Sequence, residues 1–208
     1  MKKTLLILAI SATVASCTSE KTENAETKQL DSAAMTSQKQ EKESITVPSD
    51  SIDWENVPEL RDIGKFPFYT PTDDLKIIDE KNGLSEFFDY AKMENYTGSG
   101  INTTKGKLGV MVFEDDGDKK FNQQLFEDMV YPYLDKIGAK KIFNGKFPSD
   151  QAMRAKLNEN MWNGNKRTVG LGDDEPFAVY AFINDNKKYV LNIQSNSAQG
   201  KVFIMELK

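Results

Sequence analysis

Histidine is absent from all 208 residues, and cysteine occurs once, at Cys17. The first absence excludes Ser-His-Asp and Cys-His catalysis, imidazole-held zinc and histidine pH switching. The second excludes intrachain disulfides and leaves a single thiol. Positive charge is also scarce: 27 Lys and Arg stand against 32 Asp and Glu, a formal charge of −5, so nucleic acid is not an expected partner. No apolar run approaches the ~20 residues of a membrane-spanning helix. No Gly-Lys-Ser/Thr occurs at phosphate-loop spacing, so Gly98, Gly100, Gly106, Gly170 and Gly172 read as turn residues.

What the N-terminus does contain is a targeting layout. Lys2 and Lys3 precede the apolar run Leu5-Leu6-Ile7-Leu8-Ala9-Ile10, which leads to the small residues Ala15 and Ser16. Residues 1–16 therefore read as a secretory signal peptide. The tetrad Val14-Ala15-Ser16-Cys17 resembles the lipobox of bacterial lipoproteins. That resemblance implies that Cys17 is lipidated, becomes the new N-terminus and holds the protein at a membrane through acyl chains, each buried CH₂ contributing about 0.8 kcal/mol. Thr18 in place of Asp resembles the lipoprotein pattern sent on to the outer membrane.

Residues 17–53 read as the lipidated cysteine and a disordered tether. Between Thr18 and Asp53 there is no Phe, Tyr or Trp, and four lysines face eight acids. Such a stretch cannot bury enough apolar surface to offset its ordering entropy. Its r.m.s. span is about 30–36 Å. Two triplets, Asp31-Ser32-Ala33 and Asp50-Ser51-Ile52, resemble the sequon that Bacteroidetes-type bacteria O-glycosylate, which implies sugar on Ser32 and Ser51.

All 2 Trp, 7 Tyr and 12 Phe fall from Trp54 onward, so residues 54–208 read as one domain. Its first part, rich in Pro, Gly, Asp and aromatics (Phe66-Pro67-Phe68-Tyr69-Thr70-Pro71), reads as extended segments and turns, with strands at Leu75–Asp79 and Phe87–Tyr96. Lys107–Glu114 is strand-like and closes on the acidic turn Asp115-Asp116-Gly117-Asp118. From Phe121 to Ile137 apolar residues recur every three or four positions, predicting a helix with Asp118 as N-cap, Gly138 past its end and Pro132 kinking it. Lys140–Lys146 reads as a strand. Pro148-Ser149 opens a second helix with Ala152 or Met153, Leu157 and Met161 on its apolar side, stopped by Asn163-Gly164. Phe177–Ile183, Lys188–Gln194 and Val202–Leu207 read as strands, the first two joined through Asn184-Asp185-Asn186. The predicted fold is α+β, a mainly antiparallel sheet with two helices on one face, preceded by the tether.

Four stretches carry a further likeness: Gly64–Pro71, Lys107–Glu114, Lys156–Gly164 and Asn192–Gly200. They resemble a segment that precedes the peptidoglycan-binding domain in Bacteroidetes outer-membrane proteins of the OmpA type. The resemblance spans most of residues 60–208 and implies an envelope role, but no catalytic residues. The peptidoglycan-binding module itself has no counterpart in the sequence.

Candidate chemistry is sparse. In Glu114–Asp118 an EF-hand frame puts Val112 first and Gln123 last, so no metal site is expected there. Asp115 and Asp116 together with Asp173 and Asp174 form two acidic loops able in principle to supply the paired carboxylates of a glycosidase. Trp54 and Trp162 are candidates for stacking on sugars or a partner, or for core anchors. The polar loop Ser195–Gly200, with Ser195, Asn196, Ser197 and Gln199, is the expected recognition site, because two strands fix its geometry. The sequence therefore points to an outer-membrane-anchored envelope protein with a non-catalytic binding or assembly domain, no cofactor, and an envelope protein or cell-wall partner. The alternative is a histidine-independent, carboxylate-based hydrolase of envelope carbohydrate.

Overall fold

A computed structural model describes residues 50–72, 74–117, 119–155 and 174–208, all within the unit Glu43–Lys208. The expected signal segment, Cys17, Ser32, most of the expected tether, Asp118, Asp173, and the residues predicted to end the second helix, Leu157, Met161, Trp162 and Asn163-Gly164, lie outside the described residues.

Six strands build one sheet: β1 Glu86–Tyr96, β2 Ile101–Glu114, β3 Lys140–Gly145, β4 Phe177–Asn184, β5 Lys187–Ser195 and β6 Gln199–Leu207, with the helix α1 Gln123–Ile137 between β2 and β3. Their spatial order is β1-β2-β6-β5-β4-β3, and every neighbouring pair is antiparallel. The α+β class and its mainly antiparallel sheet stand as expected. Asn184 and Lys187 close the β4–β5 hairpin through Asp185 (φ 50°) and Asn186 (φ 61°). Two successive left-handed residues make the turn whose twist matches that of the strands, and Asn and Asp tolerate it best after glycine.

Both faces of the sheet are covered, which explains the nearly unbroken apolar run of β4. On one face Met111, Phe113, Tyr180, Phe182, Leu191 and Ile204 pack under α1 and the loop that carries Tyr69, Leu75 and Ile77. The buried side chains of α1 are Phe126, Val130 and Leu134, each contributing about 1.5–3 kcal/mol by its removal from water. Asn122 caps this helix by accepting from the Leu125 N–H (3.0 Å). Phe121, just before the cap, meets Phe126 one turn on (5.9 Å between rings) and fixes the entry angle. The cap is thus four residues later than Asp118, because only from Asn122 onward do side-chain acceptor and staple coincide. Gly138 ends the helix at φ 84°, the left-handed position that suits glycine. Pro132 lies inside α1 on its exposed side, where the carbonyl left without a donor faces water.

The opposite face holds Met93, Leu108, Val110, Val179, Val190, Phe203 and Met205, covered by Ile52, Val57 and Phe147, with Met153 packed against them. Met153 belongs to the second helix, of which residues 151–155 are described, capped where Asp150 Oδ1 accepts from the Met153 N–H (2.7 Å). The two helices therefore lie on opposite faces rather than together. After α1 the chain runs down the edge strand β3, and buried Phe147, against Phe177 at 5.0 Å, turns it onto the far side. Of the two alternatives for the apolar side of that helix, Met153 packs and Ala152 is exposed.

Two other expectations change. Leu75–Asp79 is not a strand: its one ladder contact is Ile77 with Phe113, and the chain turns at Asp79 (φ 52°). Leu75 and Ile77 alternate because they plug the α1 side of the core from a loop. The packed chain also begins before Trp54. Ile52 is buried, the Asp50 N–H donates to Ile101 O (2.9 Å), and the Asp50 carboxylate accepts from the Thr97 and Ser99 hydroxyls at the tip of the β1–β2 hairpin. Thr97 above all, then Ser99 and the Ser51 N–H, hold the Asp50 carboxyl below the usual carboxylate range against the opposing effect of burial.

Candidate functional site

The loop singled out from the sequence is an internal brace. Asn196 Oδ1 accepts from the N–H groups of Ala198 (2.9 Å) and Gln199 (3.0 Å), and the Asn196 N–H donates to Gln199 O (2.9 Å). Ser195 is buried, and its hydroxyl donates to Glu127 of α1, which also accepts from Gln123 Nε2 (3.0 Å). Of the four candidates, Ser197 alone is fully exposed, and Gln199 opens β6 opposite Glu114. The polar side chains that looked available for a partner thus hold the turn and tie β5 to the helix.

The acidic loops are likewise engaged. Asp115 and Asp116 accept from the Phe121 and Lys119 N–H groups, and Asp116 pairs with Lys76 (2.7 Å). Asp174 pairs with Arg154 (2.7 Å). Among the described residues no group of three or more His, Cys, Asp or Glu is placed to hold a metal ion. Ser51 is exposed. Trp54 sits in a short 3-10 turn with Lys188 Nζ 5.0 Å from its ring centre.

Among the described residues, two concavities lie elsewhere, around the aromatic-proline loop. Phe68 packs edge-on against buried Phe182 (5.1 Å) and Tyr189 (4.8 Å), Phe66 against Phe68 (6.2 Å), and Phe87 of β1 against Phe66 (6.2 Å). Rings thus run from the core to Phe87, which is 49% exposed; Tyr90 on the same strand is 61% exposed, and these two are the exposed large apolar side chains of the described chain. Lys208 Nζ lies over the Tyr90 ring (5.7 Å). β1 is an edge strand, but a bulge between Phe88 and Ala91 and the exposed acids Glu86 and Asp89 guard it against pairing with another strand. This surface consequently offers side chains rather than a free ladder.

Two clefts flank Pro67 and Asn82. One, of about 490 Å³, runs between Phe66, Leu84 and Phe87. The other, of about 590 Å³, is lined by Lys65, Pro67, Phe68, Tyr69, Thr70 and Pro71 together with residues of the 72–83 turn. Both fall within the size range of small-molecule sites. Tyr69 is buried against Tyr133 (5.3 Å), and its hydroxyl meets no hydrogen-bond partner. Burial, then the neighbouring Tyr133, pushes its pKa up to about 12. A buried polar group left in this state costs about 1–3 kcal/mol. In the sequence this region had only a compositional signal, the density of Phe, Tyr and Pro in residues 66–71, which equally describes a surface turn.

Comparison with protein-family models gives no match, and comparison with curated proteins gives none. Among the described residues no helix is long and apolar enough to cross a membrane, which leaves strand-built spans unaddressed.

Proposed function

We propose that this chain is a cell-envelope lipoprotein, anchored through Cys17 at the outer membrane, whose sheet domain is a non-catalytic binding or assembly module. Its contact surface is the ring-lined region of Phe66, Phe87 and Tyr90, not the Ser195–Gly200 loop. The observation that carries this reading is the exposure of Phe87, which lines the 490 Å³ cleft, and of Tyr90 on the same bulged edge strand. Isolated large apolar side chains are common on surfaces, but two on one strand, the first of them backed by the packed rings of Phe66 and Phe68, offer a preorganised patch. The lipobox resemblance supports the anchor, and the likeness to the segment of OmpA-type proteins supports an envelope partner.

Two measurements test it. Cys17→Ser should move the chain from the membrane fraction into the soluble envelope fraction, and retention after a high-salt wash refutes the anchor. In the anchored chain, Phe87→Ala with Tyr90→Ala should abolish in-cell cross-linking to its partner while the midpoint of thermal unfolding stays within about 2 °C. Unchanged cross-linking refutes the contact surface.

A further inference from the structure

We propose that Asn82 is a site of spontaneous covalent modification, at which the side-chain amide is lost as ammonia and a carboxylate takes its place. In an Asn-Gly pair the glycine main-chain nitrogen can attack the asparagine Cγ, because no Cβ crowds that nitrogen. The described chain holds two such pairs, Asn82-Gly83 and Asn144-Gly145, and a third, Asn163-Gly164, lies outside the described residues. Folding treats the two differently. Asn144 and Gly145 are held in β3 opposite Ala178 and Phe177. Asn82 is exposed in a two-residue turn, with Asn82 at φ 57° and Gly83 at φ 79°, closed by two main-chain bonds between Lys81 and Leu84 (2.7 and 3.3 Å). Attack needs the backbone to open, and a short surface turn opens at far lower cost than a strand in its ladder. The Gly83 N–H donates to Glu80 Oε1 (2.9 Å), so a carboxylate already sits on the proton that must leave this nitrogen. Glu80 takes that proton, the Gly83 nitrogen bonds to Asn82 Cγ to close a five-membered imide, and the Cγ–Nδ2 bond breaks as the proton departs on ammonia. Water then opens the imide at either carbonyl, giving aspartate or its β-linked isomer, and in both products the position gains a negative charge. Asn82 lines both clefts beside Pro67, so the new carboxylate appears on their shared rim. This chemistry is independent of what either cleft binds.

The full-length chain, purified in detergent, is held in mildly alkaline buffer at physiological temperature, digested at intervals and mapped by mass spectrometry. Each converted amide is heavier by the difference between OH and NH₂, and the aspartyl and β-linked peptides separate by chromatography. Asn82 is expected to convert about tenfold faster than Asn144. The same incubation in denaturant should shrink that ratio, since it comes from folding. Glu80→Gln keeps an acceptor for the Gly83 N–H but removes the base. It should slow Asn82 about threefold while Asn144 and the midpoint of thermal unfolding stay where they are in the parent. Equal rates at the two asparagines, a ratio that persists undiminished in denaturant, or a Glu80→Gln chain whose Asn82 converts as fast as the parent's overturns the proposal. So does a Glu80→Gln chain in which both asparagines slow alike, which would mean that the substitution acts on the whole domain rather than on the attacking nitrogen.

Discussion

Replacing Asn196 by alanine removes one side-chain oxygen that two backbone N–H groups share, those of Ala198 and Gln199. The turn is partly exposed, so water takes over some of what is lost, and the cost resembles that of losing a helix cap, about 1–2 kcal/mol. For a domain of this size that lowers the midpoint of thermal unfolding by about 3–8 °C. The structure dictates the controls. Asn196→Asp keeps an acceptor at the same place and should recover most of the loss. Ser197→Ala, at the exposed tip, should change nothing measurable. Thermal unfolding of the four proteins, followed by far-ultraviolet circular dichroism at neutral pH, reads the series directly. An Asn196→Ala protein as stable as its parent would refute the brace and return the loop to the list of free recognition surfaces.

Asp50→Ala should cost about 1 kcal/mol at neutral pH through its bonds to Thr97 and Ser99. Because the folded carboxyl titrates below its unfolded value of about 3.9, that contribution is complete above pH ~4 and disappears as the pH falls through the lower folded value, so parent and variant should converge in acid. A difference that persists at pH 2 refutes the ionic origin of the contact. A chain begun at Ile52 should show a larger deficit than Asp50→Ala, because it also loses the main-chain bonds of Asp50 to Ile101 and Asn102. Gly106→Ala should destabilise more than any of these, by about 3 kcal/mol or more, because a Cβ there would come within 1.9 Å of the Glu206 carbonyl oxygen, and main chain cannot rotate aside. A denaturant midpoint near that of the parent would show that β2 and β6 are farther apart than the structure places them.

The elements that were legible are those whose side chains announce their surroundings. Runs such as Phe177–Ile183 and the apolar period from Phe121 to Ile137 locate strand and helix, since both bury apolar stripes of fixed spacing. The first part of β2 was illegible for a related reason. Asn102, Thr104 and Gly106 point inward, while Thr103, Lys105 and Lys107 point out. The alternation is present, but its inward members are polar or lack a side chain. Asn102 faces Asn95 across the hairpin, and Asn95 Oδ1 accepts from Asn192 (2.8 Å), a buried amide row that hydropathy cannot register. The site fails to announce itself in the same way. Asn196 and Ser195 look like offered hydrogen bonds until their partners, Gln199 and Glu127, are brought beside them by folding. Tyr69 and Phe87 look like ordinary aromatics until one is buried without a partner and the other is left in solvent.

The position of β6 bears on how the molecule comes together in time. It is the last strand in chain order, yet it sits third in the sheet, joined to β2 on one side and β5 on the other. Until Gln199–Leu207 emerges, β1 with β2 forms one hairpin, and β3, β4 and β5 form another ribbon, with no ladder between them. Each ribbon leaves exposed a long strand edge that β6 will later fill, a state prone to pairing with the wrong chain. Closure of the sheet is therefore postponed until nearly the whole chain is available. On the proposed lipoprotein reading, in which the chain crosses a membrane before it folds, this delay would keep the early portion from locking into a finished shape on the wrong side.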